Sequence, residues 1–79
     1  MTLRERYIKG LQVAGYKPIE TRSRKYLGFE GWTVQGRHIT LWLGKAGAVR
    51  QGRTVSKSLD TSSQLKTSIL RLAEQGGRS

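Results

Sequence analysis

Two hydrophobic periodicities divide the chain, and the first is helical. Near the start, apolar residues recur at the spacing of one helix face: Leu3, Tyr7, Leu11 and Ala14. Thr2 and Glu5 stand three positions apart, as in a capping box that satisfies free amides of a first helical turn. Gly15 can adopt the left-handed conformation that ends a helix, and Pro18 cannot continue one. The pattern predicts a helix over residues 3–14.

A second helical stretch lies near the other end of the sequence. Its apolar stripe consists of Leu65, Ile69, Leu72 and Ala73. Asp60 and Thr61 are predicted to begin this helix, with Thr61 and Gln64 as a second capping box. Gly76 and Gly77 are predicted to end it.

Between the two helices the pattern changes to alternation. Residues 25–30 alternate as in a strand, which Gly31 is predicted to end, and residues 31–44 are predicted to form a hairpin. A two-residue loop at Gly36-Arg37 would set Val34 opposite Ile39. A loop at Gln35-Gly36 would set Val34 against Arg37, so the first register is predicted. It gives one buried face with these members: Leu27, Phe29, Trp32, Val34, Ile39, Leu41 and Leu43.

The remaining segment, residues 46–58, leaves its conformation open. Val55, Lys57 and Leu59 alternate and favour a short edge strand. The predicted fold is α+β, in the order α-β-β-β-α with room for a short fourth strand. Two helices would pack on one face of an antiparallel sheet. With 79 residues, the chain is expected to form a single small basic domain over residues 1–79.

The charge of the chain indicates which classes of partner it could bind. Lys and Arg number 15 against 5 acidic residues, which gives a net charge of +10 and a pI near 11.0. Strongly basic domains attract nucleic acid, anionic membrane surfaces and acidic proteins. Neither predicted helix has the aromatic and basic amphipathic pattern of a membrane-surface helix, so no membrane partner is expected.

The sequence offers little to a catalytic interpretation. The acidic residues are scattered, and His38 is the one imidazole, beside a predicted turn. Cysteine is absent, which excludes disulfides and thiolate metal sites and fits a reducing cytoplasm. MTLRERYIKG lacks the apolar stretch of a secretory signal. We therefore expect a cytoplasmic protein that is not an enzyme, with no catalytic residue, metal or cofactor.

A basic, glycine-rich segment is the strongest candidate for binding. GKAGAVRQGRTVSKS, residues 44–58, combines three glycines with four cations and no acid. Glycine lets a backbone approach an anion, and arginine can fork onto phosphate. The predicted phosphate contacts are Lys45, Arg50, Arg53 and Lys57, extended by Arg24, Lys25 and Arg37. The alternative is an ordinary solvated connection whose cations favour solubility.

Aromatic side chains add a second candidate surface. In the predicted register, Tyr26 and Trp42 fall on the sheet face opposite the helices. An exposed Tyr26–Trp42 pair beside Arg24 and Lys25 could stack on bases. It could equally anchor a protein interface. A homodimer through the Trp42 face is compatible with both.

Two resemblances bear on this choice. The order α-β-β-β-α resembles the double-stranded-RNA-binding domain in topology and length. That family's second helix begins with several lysines, whereas here Lys66 stands alone in this region. Residues 41–58 are similar to stretches of small phage-encoded basic proteins of unknown function, which implies a phage or prophage accessory protein.

Two functional hypotheses follow. The first is a non-catalytic nucleic-acid-binding accessory protein that contacts the phosphate backbone. The second is a phage-type inhibitor or assembly factor that docks on an acidic host protein. The sequence leaves open whether the nucleic acid is DNA or RNA, single-stranded or double-stranded.

Overall fold

A computed structural model of the protein describes residues 1–76. Two helices enclose five strands in chain order: α1 Leu3–Val13, β1 Lys17–Ile19, β2 Tyr26–Trp32, β3 His38–Gly44, β4 Val49–Gly52, β5 Ser58–Asp60 and α2 Ser63–Gly76. The strands form one antiparallel sheet in the order β1-β2-β3-β4-β5. The predicted α+β class is confirmed. The predicted helix stop at Gly77 lies outside the described residues.

Both helices begin at hydroxyl caps. The capping box of α1 is present, because Thr2 accepts from the Glu5 amide and the Glu5 carboxylate accepts from the Thr2 amide. The helix α2 begins later than predicted. The amide of Leu65 donates to Oγ of Ser62 over 3.3 Å, so Ser62 rather than Thr61 caps this helix.

The two helices cover one face of the sheet, as predicted. Tyr7 and Leu11 from α1 and Ile69 from α2 pack against sheet residues, chiefly Phe29, Ile39, Leu41, Leu43 and Val49. We call this helix-covered side the inner face and the opposite side the outer face. The core is small, as expected for a chain of this length. Within residues 1–76, neither helix is both long enough and apolar enough to cross a bilayer.

The helices approach each other closely at Gly10. A Cβ atom at this position would overlap the carbonyl oxygen of Ile69 and would lie 2.7 Å from its Cγ2. The ion pair between Arg6 and Glu74, 3.4 Å apart, lies beside this crossing. Glycine at position 10 therefore sets the distance between α1 and α2.

The sheet is more extensive than predicted. The strand β2 runs through Gly31 without a break, because the missing side chain there makes room for the ring of Tyr16. The strands β1 and β4 are additional to the predicted elements. Pro18 lies in β1, which is an edge strand, and edge strands are where a sheet tolerates proline.

The predicted register of the hairpin is wrong. Trp32 pairs with His38 rather than Leu41, across a three-residue loop of Val34, Gln35 and Gly36. The Thr33 amide donates to the Arg37 carbonyl over 2.8 Å, and Gly36 has a φ of +80°. A left-handed glycine closing a three-residue loop is a common hairpin connection. Trp32 and Val34, both predicted to be buried, are therefore exposed, and Leu27 is partly exposed.

Because the helices approach closely at Gly10, replacing this glycine by alanine is predicted to destabilise the fold, although the same change stabilises an ordinary helix. In an ordinary helix, Gly→Ala stabilises by about 1 kcal/mol. Here the added methyl group must push the helices apart, so we expect Gly10→Ala to destabilise the fold by roughly 1–3 kcal/mol. Urea unfolding followed by circular dichroism measures the change. Gln12→Ala, on the exposed side of α1, is the control and should shift stability by less than about 0.5 kcal/mol. Stabilisation by Gly10→Ala would contradict the close packing.

Candidate nucleic-acid interface

The sheet topology divides the predicted phosphate contacts between two ends. The loops 20–25 and 45–48 lie at one end of the sheet, which we call the Lys45 end, and the loops 33–37 and 53–57 lie at the other, the Arg37 end. Strand β3 joins the two ends and spans about 20 Å at roughly 3.3 Å per residue. Arg24, Lys25 and Lys45 are exposed at the first end, and Arg37, Arg53 and Lys57 at the second.

The glycines around Lys45 have a structural role. Gly44 donates to the Ala48 carbonyl over 2.8 Å, and Gly47 has a φ of +92°, so the turn repeats the three-residue design of the β2–β3 hairpin. A Cβ at Gly47 would lie 2.8 Å from Cδ2 of Leu3, which packs α1 against this turn. The Gly-Lys-Ala-Gly motif is therefore a hairpin connection, with the Lys45 side chain exposed on it.

Arg50 occupies a different environment from the other predicted contacts. It points to the outer face, where its Nε donates to Ser58 Oγ over 2.7 Å and Nη2 donates to the Ser58 carbonyl over 2.6 Å. Its Nη1 reaches the Asp60 carboxylate at 3.3 Å. Every nitrogen of the guanidinium is thus engaged between β4 and β5. These bonds give Arg50 a structural role, because they hold the edge strand, and its contact with phosphate stays a prediction.

Trp42 is on the predicted face but is not exposed. Only 6% of the residue is accessible, and its indole Nε1 donates to the Gly52 carbonyl over 2.8 Å. A Cβ at Gly28 would lie 2.7 Å from the far edge of the indole and 2.6 Å from Ile19. The indole therefore lies across the sheet and covers β2 at Gly28, where the absence of a side chain leaves room for it, and Ile19 lies beside it.

The exposed Tyr26–Trp42 pair predicted from the sequence is therefore wrong. Tyr26 is partly buried, and its ring would be 3.2 Å from a Cβ at Gly44. Trp42 offers too little surface to stack on a base or to anchor a homodimer. The glycine at position 28 permits this burial, because a side chain there would displace the indole from the sheet.

Trp32 is the exposed tryptophan. It is 66% accessible on the outer face at the Arg37 end. The ring of His38, its partner across the strands, meets it edge-on with centroids 5.0 Å apart and planes 69° apart. His38 Nε2 lies 3.9 Å from the Glu30 carboxylate. Lys17, opposite Glu30 in the sheet, shares this face. Gly36 is the feature of the sequence that could have predicted the exposure of Trp32, because it permits the three-residue loop that sets this register.

Most acidic residues are already engaged within the fold. Glu5 belongs to the α1 cap, Glu74 pairs with Arg6, Asp60 pairs with Arg50, and Glu30 faces His38. Among residues 1–76, Arg37, Arg53 and Lys57 form no ion pair. The positive charge at the Arg37 end is thus free to act on an external anion.

A cleft opens on the inner side of the sheet at the Arg37 end. Its volume is about 460 Å³, and it lies between the β2–β3 loop and α2. Trp32 and Arg37 line it on one side, Leu65 on the other, and the Gln35, Gln51 and Gln64 amides contribute polar groups. Tyr16 also lines it, and burial raises the pKa of its phenol, which therefore stays neutral. The described residues bring no three metal-ligating side chains together.

Comparisons with protein-family models, with curated proteins and with solved structures gave no match for this chain.

The contrast between the two tryptophans is directly measurable. Trp42→Phe leaves Trp32 as the emitter, whereas Trp32→Phe leaves Trp42. We expect emission from Trp42→Phe to be red-shifted and quenched by acrylamide several-fold more strongly than emission from Trp32→Phe. Equal quenching of the two variants would contradict the strand register, since the predicted difference follows from exposures of 66% and 6%.

The role of Arg50 predicts a loss of stability. Arg50→Ala leaves the Ser58 hydroxyl and carbonyl without their guanidinium partners, and we expect a loss of about 1–2 kcal/mol in urea unfolding. Arg53→Ala, a matched change at an exposed site, should cost less than about 0.5 kcal/mol. Asp60→Asn should also have little effect, because the Asp60 side chain is 88% exposed and exposed ion pairs contribute little. Equal stability of Arg50→Ala and Arg53→Ala would refute the role.

Proposed function

We propose that this protein is a non-catalytic nucleic-acid-binding protein that contacts the phosphate backbone at the Arg37 end of its sheet. One observation carries the proposal: exposed cations of two loops lie at the same end of the sheet as an exposed tryptophan. Arg37 belongs to the first loop, and Arg53 and Lys57 belong to the second. Backbone cations combined with an aromatic platform are typical of nucleic-acid-binding surfaces.

Electrostatics support an extended contact. The net charge of +10 attracts a polyanion from any direction, and binding releases its condensed counterions. Arg24, Lys25 and Lys45 form a second cationic group about 20 Å away along the strands. A bound strand of several nucleotides could reach from one end of the sheet to the other. The affinity should therefore depend strongly on salt concentration and on the length of the strand.

An acidic host protein is the second candidate partner. Exposed apolar side chains at the Arg37 end and on the edge strand favour it, because Val34 is fully exposed and Leu59 is 77% exposed. A protein partner could cover both while the surrounding cations steer association. Binding of this kind should be abolished in Val34→Ser/Leu59→Ser, a double variant that keeps every cation and should bind nucleic acid normally.

The phage origin and the cytoplasmic location stay predictions. The first depends on the resemblance of residues 41–58 to small phage-encoded proteins, and the second on the absence of cysteine from the sequence. Both are consistent with an accessory protein that acts on nucleic acid.

Charge removal at the Arg37 end tests the proposal. Fluorescence anisotropy with labelled DNA and RNA, repeated over a range of salt concentrations, measures affinity and salt dependence. We expect the triple variant Arg37→Gln/Arg53→Gln/Lys57→Gln to bind at least about tenfold more weakly. The slope of log K against log salt should fall by about 0.7–0.9 for each phosphate that the variant no longer neutralises.

A matched triple variant provides the control. Lys9→Gln/Lys66→Gln/Arg71→Gln removes the same charge from the helices, so the difference between the two variants reports position rather than net charge. Equal weakening in both would show that the Arg37 end is not the binding site. Absence of wild-type binding at about 150 mM salt would overturn the proposed function.

A further inference from the structure

We infer that the nucleic acid is bound as a single strand, with one base stacked on Trp32. This inference rests on the proposed function and names its substrate class. The evidence is the juxtaposition of two features at the Arg37 end: an exposed indole and exposed cations in two loops.

The indole of Trp32 is a prepared stacking surface. The ring is two-thirds exposed although it lies within a strand rather than in a loop. His38 contacts the indole in a T-shaped arrangement, with ring centroids 5.0 Å apart, and two-thirds of the Trp32 surface stays accessible to a base. In a duplex, the faces of the bases are occupied by their neighbours, so such a ring selects unpaired bases.

The cations are arranged to follow the backbone of a strand that crosses this ring. Arg37 lies in the loop directly after the β2 strand that carries Trp32, and Lys17 lies on the neighbouring strand of the outer face. Arg53 and Lys57 lie in the next loop at the same end. Cations thus flank the indole on both sides, as a backbone that passes over the ring requires. Stacking of a base on the indole would add to the affinity that these phosphate contacts provide.

The experiment compares the binding of one oligonucleotide as a single strand and as a duplex. A labelled thymidine-rich oligonucleotide is titrated with the protein at about 150 mM salt, once as a single strand and once as a duplex with its complement. The variants are Trp32→Leu, which keeps an apolar side chain without a π face, and Trp32→Phe, which keeps one. Because the site is exposed, neither variant should affect folding, and urea unfolding verifies this.

We expect the wild type to prefer the single strand at least about tenfold. Trp32→Leu should weaken single-strand binding by about 5- to 150-fold, the equivalent of 1–3 kcal/mol, while duplex binding stays unchanged. Trp32→Phe should retain most of the affinity.

The outcomes separate the two claims. Equal affinity for single strand and duplex, with no effect of Trp32→Leu, would overturn the single-strand inference and leave the backbone-binding proposal in place. Absence of binding to both forms would overturn the proposed function itself. Equal weakening by Trp32→Leu and Trp32→Phe would contradict stacking as the source of the preference.

Discussion

The register between β2 and β3 decides which side chains of this small protein are inside and which remain on its surface. Since side chains alternate along a strand, pairing Trp32 with His38 directs Phe29, Leu41 and Leu43 toward the helices. The same pairing places Trp42 on the outer face over Gly28. A shift of one residue would exchange the two faces. The left-handed glycine at position 36, which closes the hairpin, is thus the residue on which the arrangement depends.

The outer face is then stabilised without a covering layer. Trp42 lies flat, bonded to the Gly52 carbonyl, and Arg50 holds the edge strand through Ser58. One aromatic and one guanidinium that could have served a partner are therefore used by the fold. Within residues 1–76, the side chains of Trp32 and the loop cations form no comparable hydrogen bond, and they are the groups available for binding. Of the two tryptophans, Trp42 is therefore part of the folded structure and Trp32 lies on the surface.

Periodicity was sufficient to predict the two helices and part of the inner face. The apolar stripe of α1 and its capping box were predictable, as were the inward positions of Leu41 and Leu43. Two short strands, β1 and β4, carry too few residues for a pattern of alternation. The register failed because apolar pairing of Val34 with Ile39 favoured a two-residue loop, whereas the fold leaves Val34 exposed at the turn. That error placed Trp32 inside, whereas Trp42 was assigned to the correct face and only its burial over Gly28 was missed.

The charge pattern predicted the surface cations but could not assign their partners. Arg50 and Arg53 are alike in sequence, and only the position of Ser58 across the sheet distinguishes them. The most direct test of the account is an NMR titration of the ¹⁵N-labelled protein with a single-stranded oligonucleotide. The indole N–H of Trp32 should shift together with the amides of residues 33–37 and 53–57, while the hydrogen-bonded indole of Trp42 stays in place. Shifts confined to the helices or to the Lys45 end would contradict it.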